Sequence, residues 1–398
     1  MWLTGPRSPP RRKAVKVVES WRDVAIGWGE TPRTVRVPAD ADVLLPPVGP
    51  PARRWDEVVA DALDHPLGSA SLADRLAGVR TVCVIVPDET RKDVARRILP
   101  LLMPHLADHT VTVGVATGKH PPYPAPPGID WVHDARSPTL RAMGQTDRGT
   151  DVRYPPAVLD ADLRIVVGEI RPHYFAGWAG GAKGLFPGVA GEAGIWRNHR
   201  LKAAPGARLG VVEGNPCRAD MEAAAALAGP SVILNIVRGA DGEPVAAVFG
   251  DPVVAHRAGV ERARAVFEVA VSRRYGVVVV SDRSPVTMNL YQACKLLPPA
   301  GAVLADGGTV VLAADCTAGI GPVPVINEAI YRLGSVHSLP PRHRVVLVSR
   351  HGPEAVAPTF AEWAPSVSAA VTDARAKGAD RSVLVMPRGG ELVPCRRE

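Results

Sequence analysis

The sequence predicts an α/β protein: two α/β domains with mostly parallel sheets and an active-site cleft between them. Three observations carry this. Short β-branched runs alternate with helical stretches along most of the 398 residues, the pattern of parallel strands covered on both faces. The chain is longer than one ordinary core, and the alternation restarts in its last third. Polar residues collect where the strands end, which is where open α/β sheets bind ligands.

Taken in order, residues 1–20 hold Arg7, Arg11, Arg12, Lys13 and Lys16 with one acid at the end, and read as a disordered basic tail. The N-terminal domain is placed at 21–265 and the C-terminal domain at 266–398. Residues 37–55 are proline-rich and read as an extended segment. Strands are expected at 81–88, 110–117, 163–170 and 231–238, with helices at 93–106, ending at its prolines, and at 219–228. The run 254–270 has helical spacing and leads into the second domain. There, strands are expected at 276–282, 308–315, 344–349 and 381–386, with a helix at 289–297. The first three strands and the 276–282 strand end in Asp88-Glu89-Thr90-Arg91, Gly118-Lys119-His120, Arg171-Pro172-His173 and Ser281-Asp282, which predicts one shared crevice.

Composition excludes several classes. Hydrophobic content of 46% with 22% charged residues is that of an ordinary globular enzyme. No run of 18 apolar residues is present, so no membrane partner is expected, and no apolar signal core follows the basic start. Cysteines 83, 217, 294, 316 and 395 stand singly, which argues against a protein-built zinc or iron–sulfur site and against a disulfide framework. A cytoplasmic, reducing location is the expectation. The net charge of +7 comes without a nucleic-acid motif, so beyond a solvated tail it predicts small anions rather than nucleic acid as partners.

The chemistry concentrates in residues 168–199, GEIRPHYFAGWAGGAKGLFPGVAGEAGIWRNH. Two histidines, His173 and His199, flank a glycine-rich loop with one lysine, Lys183. Glycines such as Gly180 and Gly181 allow a backbone to approach a ligand and turn amides toward phosphate. The imidazoles can ligate a metal or move protons. The loop is neither a P-loop, since no Ser or Thr follows Lys183, nor a dinucleotide fingerprint. A flexible lid remains the plain alternative for the loop, and a structural hydrogen bond for each histidine taken alone. His120 sits in GKHPPYPAPPG, where a surface role is the alternative. Gln292 and Lys295, three apart, share a helix face and suit a substrate oxygen and carboxylate. Arg91 suits a carboxylate too.

Together these residues resemble the nickel-dependent lactate racemase family, whose members use a nickel-pincer nucleotide. The block PHxxAGWAGGAKGLFPGVAGxxGIxxNH at 172–199 carries the resemblance, supported by DETR at 88–91, TGKH at 117–120, GNP at 214–216, NLYQACK at 289–295 and DCTAGIG at 315–321. The similarity spans roughly residues 60–395. It implies that Lys183 carries the nucleotide through a thioamide, that His199 ligates nickel, and that His120 and His173 are the catalytic bases. It further implies that Arg91, Gln292 and Lys295 orient substrate and that Asp88, Gly180 and Gly181 lie at the cofactor. Trp363 falls in only a loose match to a tryptophan near that site. The implied activity is racemisation or epimerisation of a 2-hydroxy acid by reversible hydride transfer to the cofactor, with cofactor-building enzymes as partners.

This chain departs from the family pattern at Lys92, Pro121, Trp178 and Thr287, where Pro, Arg, Phe and Asp are usual. The departures predict an altered pocket edge and leave the 2-hydroxy acid open between lactate and a larger or sugar acid. A dehydrogenase using soluble NAD and a non-catalytic cofactor-binding homologue are the rival readings. The absent dinucleotide fingerprint counts against the first and the retained His120 and His173 against the second.

Overall fold

Two six-stranded sheets organise the computed structural model, which describes residues 20–396. The tail expected at 1–20 lies, but for Ser20, outside the described residues. The first sheet runs Pro244–Gly250, Ser231–Arg238, Leu163–Glu169, Thr81–Pro87, Thr110–Ala116, Trp131–Val132. Its pairs are parallel except at the Pro244–Gly250 edge. The second runs Glu362–Trp363, Arg344–Val348, Leu304–Ala313, Tyr275–Val280, Val383–Met386, Asp42–Val43, and all its pairs are parallel. Central strands are apolar on both faces: Val277, Val278, Val279 and Val280 are all buried. Each such valine contributes roughly 1.5–3 kcal/mol by leaving water.

Every strand expected from the apolar runs is present within a few residues. The helix at Lys92–Leu102 passes through Pro100 rather than stopping at it. Pro100 lies in the last turn, so only one backbone bond is lost before a 3₁₀ turn, Met103–Leu106, ends the element. The helix expected at 289–297 is three short pieces, Leu290–Ala293, Cys294–Leu296 and Leu297–Val303, because Pro298 and Pro299 open the last one. Asn289 caps the first piece, its side chain accepting from the Gln292 amide.

The start of the described chain belongs elsewhere than the sequence reading grouped it. Trp21–Ile26 and Arg33–Pro38 form an antiparallel hairpin whose Ile26, Trp28 and Val37 share a core with Val277, Val279 and Val385 of the second sheet. Asp42–Val43 extends that sheet beside Leu384 and Val385. These residues, placed with the N-terminal domain in the sequence, therefore complete the C-terminal sheet. The physical reason is that Val383–Met386 would otherwise leave an apolar edge unpaired.

Candidate active site

The strand ends meet. A cavity of about 530 Å³ lies beyond the carboxyl ends of strands in both sheets, and Asp88, Arg91, His120, His173, Gly180, Gly181, Lys183, His199, Gln292 and Lys295 all line it. Residues 200 apart in the chain therefore face one volume, as the placement of polar residues at strand ends predicts.

Asp88 and Arg91 follow the strand Thr81–Pro87, and Arg91 stands at the start of the next helix. Its charge opposes the helix dipole there. Glu169, buried at the end of a neighbouring strand, compensates: Arg91 Nε lies 4.0 Å from its Oε2, and Arg238 holds both Glu169 oxygens at 3.1 and 2.9 Å. Burial would raise the Glu169 carboxyl, but Arg171, Arg238 and Arg91 outweigh it and hold it lowered. Arg91 keeps 38% of its side chain accessible because it faces the cavity, although protein surrounds it. Lys295 contacts Gln292 through its ammonium, so the two share a face as their spacing requires.

Lys183 sits in a 3₁₀ turn, Gly181–Gly184. Burial pushes its amine down to about 7, helped by Arg91, Arg218 and Lys295. Burial likewise drives His173 well below its ordinary value, with Lys183 the largest of the charges that add to it, and drives His199 well down, helped by Lys119 and Lys183. Lys295 falls to about 8 by burial and by Arg91 and Arg171. The cavity is a crowded cationic place, and burial lowers its lysines from their ordinary value, Lys183 the furthest. His199 lies in the last turn of the helix Glu192–Arg200, and its Nδ1 is buried without a full hydrogen bond, although the Ile195 carbonyl one turn earlier favours the protonated ring.

The glycines of the loop are also required by the protein's own packing. A Cβ on Gly180 would lie 2.7 Å from Asn235 Oδ1, and one on Gly181 would lie 2.7 Å from His256 Cγ. Both have positive φ, +79 and +64. The glycines let the loop lie closely against the protein while it lines the cavity. Its amides follow suit: Ala176 donates to His173 Nδ1, Ala179 to the Arg171 carbonyl and Gly181 to Asn235 Oδ1 at 2.6 Å. Arg218, fully buried, gathers the carbonyls of Ala176, Trp178 and Gly180, and His256 Nε2 takes that of Ala179 at 2.9 Å. A loop gripped by three buried polar side chains is not a loose lid.

Several of these residues escaped the sequence reading. Asn235 and Glu169 each interrupt an apolar strand, which was the available signal, since a buried polar residue in such a run needs a reason. Arg218 and His256 carried no such mark. Three departures singled out as pocket-edge changes lie away from it. Trp178 is buried with its indole donating to the Gly210 carbonyl, and Thr287 is buried and accepts from the Gly29 amide. Neither they nor Pro121 line the cavity. Trp363 also lies apart, at the edge of the second sheet, where its indole donates to the His351 carbonyl.

Comparison with known proteins adds the relatives. A family model described as the lactate racemase N-terminal domain matches residues 28–125 and 130–210. A lactate racemase of Thermoanaerobacterium thermosaccharolyticum is 32% identical over 296 residues, 70% of this chain and 68% of that protein. The chain belongs to the lactate racemase family. A second lactate racemase, from Lactiplantibacillus plantarum, is 30% identical over 67% of each chain. The lactate racemase apoprotein structure from T. thermosaccharolyticum superposes with a TM-score of 0.84 at 26% identity, covering 95% of this chain and all of that one. A Thermotoga maritima protein at 15% identity and TM-score 0.66, covering 88% of this chain and all of its own, shares the fold alone.

Proposed function

We propose that this member of the lactate racemase family is an isomerase that racemises or epimerises a 2-hydroxy acid, lactate-like or larger, with a nickel-pincer nucleotide tethered at Lys183. One observation carries the reading: the ten residues that the family resemblance singles out, drawn from both halves of the chain, line a single cationic cavity.

The residues suit the group. An amine near neutral pKa is a nucleophile at pH 7, as covalent attachment requires. Arg91, Lys119, Arg171 and Lys295 provide positive charge for a phosphate and carboxylates. Among the described residues no three His, Cys, Asp or Glu side chains gather to hold a metal, so this chain would lend a metal one imidazole, His199, and the remaining donors would come with the cofactor. When bound, that cofactor supplies a two-electron sink for the C2–H of the substrate.

The chain does the rest. Arg91 and Lys295 hold the carboxylate, with Gln292 beside them, so that a planar 2-keto acid stays in place while its face changes. His120 and His173 handle the hydroxyl proton. Cofactor-building enzymes are the partners this requires. Free cysteines throughout the chain fit a cytoplasmic setting. Among the described residues no helix is long and apolar enough to cross a membrane.

The test is co-expression with cofactor-building enzymes, followed by intact-mass and nickel measurement and chiral chromatography of 2-hydroxy acids. A mass adduct, one nickel per chain and interconversion of enantiomers are expected, and Lys183→Ala removes all three. Interconversion that persists in Lys183→Ala sinks the attachment.

A further inference from the structure

We infer that His120 and His173 are held in opposite tautomers, so that of these two rings in the resting protein His120 alone keeps its Nε2 free of a proton, with Asp88 and the Ala176 amide as the positioning groups. The inference rests on the site reading above and makes the two imidazoles unequal, where that reading alone leaves them equivalent.

His120 Nδ1 lies 2.9 Å from Asp88 Oδ2. An ionised carboxylate only accepts, so Nδ1 carries the hydrogen and Nε2 keeps its lone pair. Asp88 is well placed to orient the ring. Its side chain is 12% accessible at the end of a central strand, whereas His120 is 57% accessible. The pair therefore has the base-and-orienter arrangement of acid–base sites.

His173 is the reverse case. Its Nδ1 accepts from the Ala176 amide at 3.2 Å, and a backbone amide only donates. While that bond stands, a neutral His173 ring must carry its hydrogen on Nε2. The rings on either side fix it there: Tyr174 stacks at 5.3 Å between centroids and Phe175 meets it edge-on at 4.7 Å. Burial and the charges of Lys183, Lys295, Arg218 and Arg91 keep the ring neutral.

The chemical consequence follows atom by atom. With one enantiomer, His120 Nε2 would take the substrate O–H proton, and the bound cofactor would supply the acceptor for the hydrogen and electron pair of C2–H, so that the 2-keto acid balances the two transfers. His173, as an Nε2–H donor, can hydrogen-bond to substrate oxygen but cannot take a proton at that nitrogen. To serve the other enantiomer as a base, it must first move its hydrogen to Nδ1 and release Ala176. The amide is thus a built-in bias between the two directions of entry. At equilibrium the bias appears in individual rate steps and not in the final ratio of enantiomers.

The test is ¹⁵N NMR of imidazole tautomers in the cofactor-free protein at about pH 8, where unperturbed imidazoles are neutral. His120→Gln and His173→Gln assign the two rings, with His173→Asn as a second variant should the first fold poorly. The Nδ1–H form at His120 and the Nε2–H form at His173 are expected, each in about tenfold excess. Asp88→Ala should swing His120 toward Nε2–H, leave His173 unchanged, and be rescued by Asp88→Glu. Two rings in the same tautomer, or a His120 indifferent to Asp88→Ala, overturn the inference. Racemase assays of the loaded protein are read separately. Racemisation with equal tautomers sinks only this inference, and opposite tautomers without racemisation sink only the functional reading.

Discussion

Arg218 Nη1 donates to the Gly180 carbonyl at 3.1 Å, joining the helix Pro216–Ala226 to the glycine loop 38 residues earlier. The same guanidinium holds the carbonyls of Ala176 and Trp178. Replacing it by methionine leaves three carbonyls without this donor and removes the charge beside Glu222. Arg218→Met should cost about 3–5 kcal/mol, measured as a lower urea midpoint. A change below about 1 kcal/mol would mean that the loop holds itself.

Lys183 gives a pH-dependent prediction with a definite sign. Its folded value is about 7 against an ordinary 10.5, so between those values the unfolded chain binds more protons than the folded one. Stability must therefore rise with pH across that window. Lys183→Met, of similar length and uncharged, should be more stable than wild type by about 2–5 kcal/mol at or below neutral pH. The gap should close as pH approaches 10.5. A gap that stays constant from pH 7 to 10 would contradict the depressed value.

The loop glycines can be tested without any ligand. Gly181→Ala places a methyl 2.7 Å from His256 Cγ at a φ of +64. Strain and overpacking together should cost about 2–4 kcal/mol, seen as a lower thermal midpoint in the cofactor-free protein. Gly214→Ala is the control for strain alone. Its φ is +71 but no heavy atom lies within 4 Å, so a loss of about 1–2 kcal/mol is expected.

Arg91→Gln tests the carboxylate clamp. Progress curves on cofactor-loaded protein should show KM rising about 10–100-fold for an anionic substrate. Because Glu169 keeps Arg238, the fold should lose little. An unchanged KM would remove Arg91 from the substrate's contacts.

The sequence was readable where one residue type had one physical use. Val277–Val280 could only be a buried strand, and Asp88, His120 and His173 at strand ends could only point to one side of a sheet. It was unreadable where partners come from distant chain. Asp42–Val43 is too short to announce itself, and only Val383–Met386 tells it where to go. The packing need at Gly180 and Gly181 was hidden for the same reason, since the atoms that forbid a side chain belong to Asn235 and His256. Trp178 was read as a change at the pocket because its neighbours in sequence are there, while its own ring packs toward Phe267 in the interior.

The opening hairpin carries one more implication. Because residues 21–43 lie with the second sheet, 81–250 build the first, and Val393 returns to the core of the first half after 275–386 complete the second, the described backbone passes between the halves three times. A single proteolytic cut near residue 266 cannot release either half as a free body. Whatever moves one half against the other must bend all three connections together, so the halves are tied like pages sewn at three points.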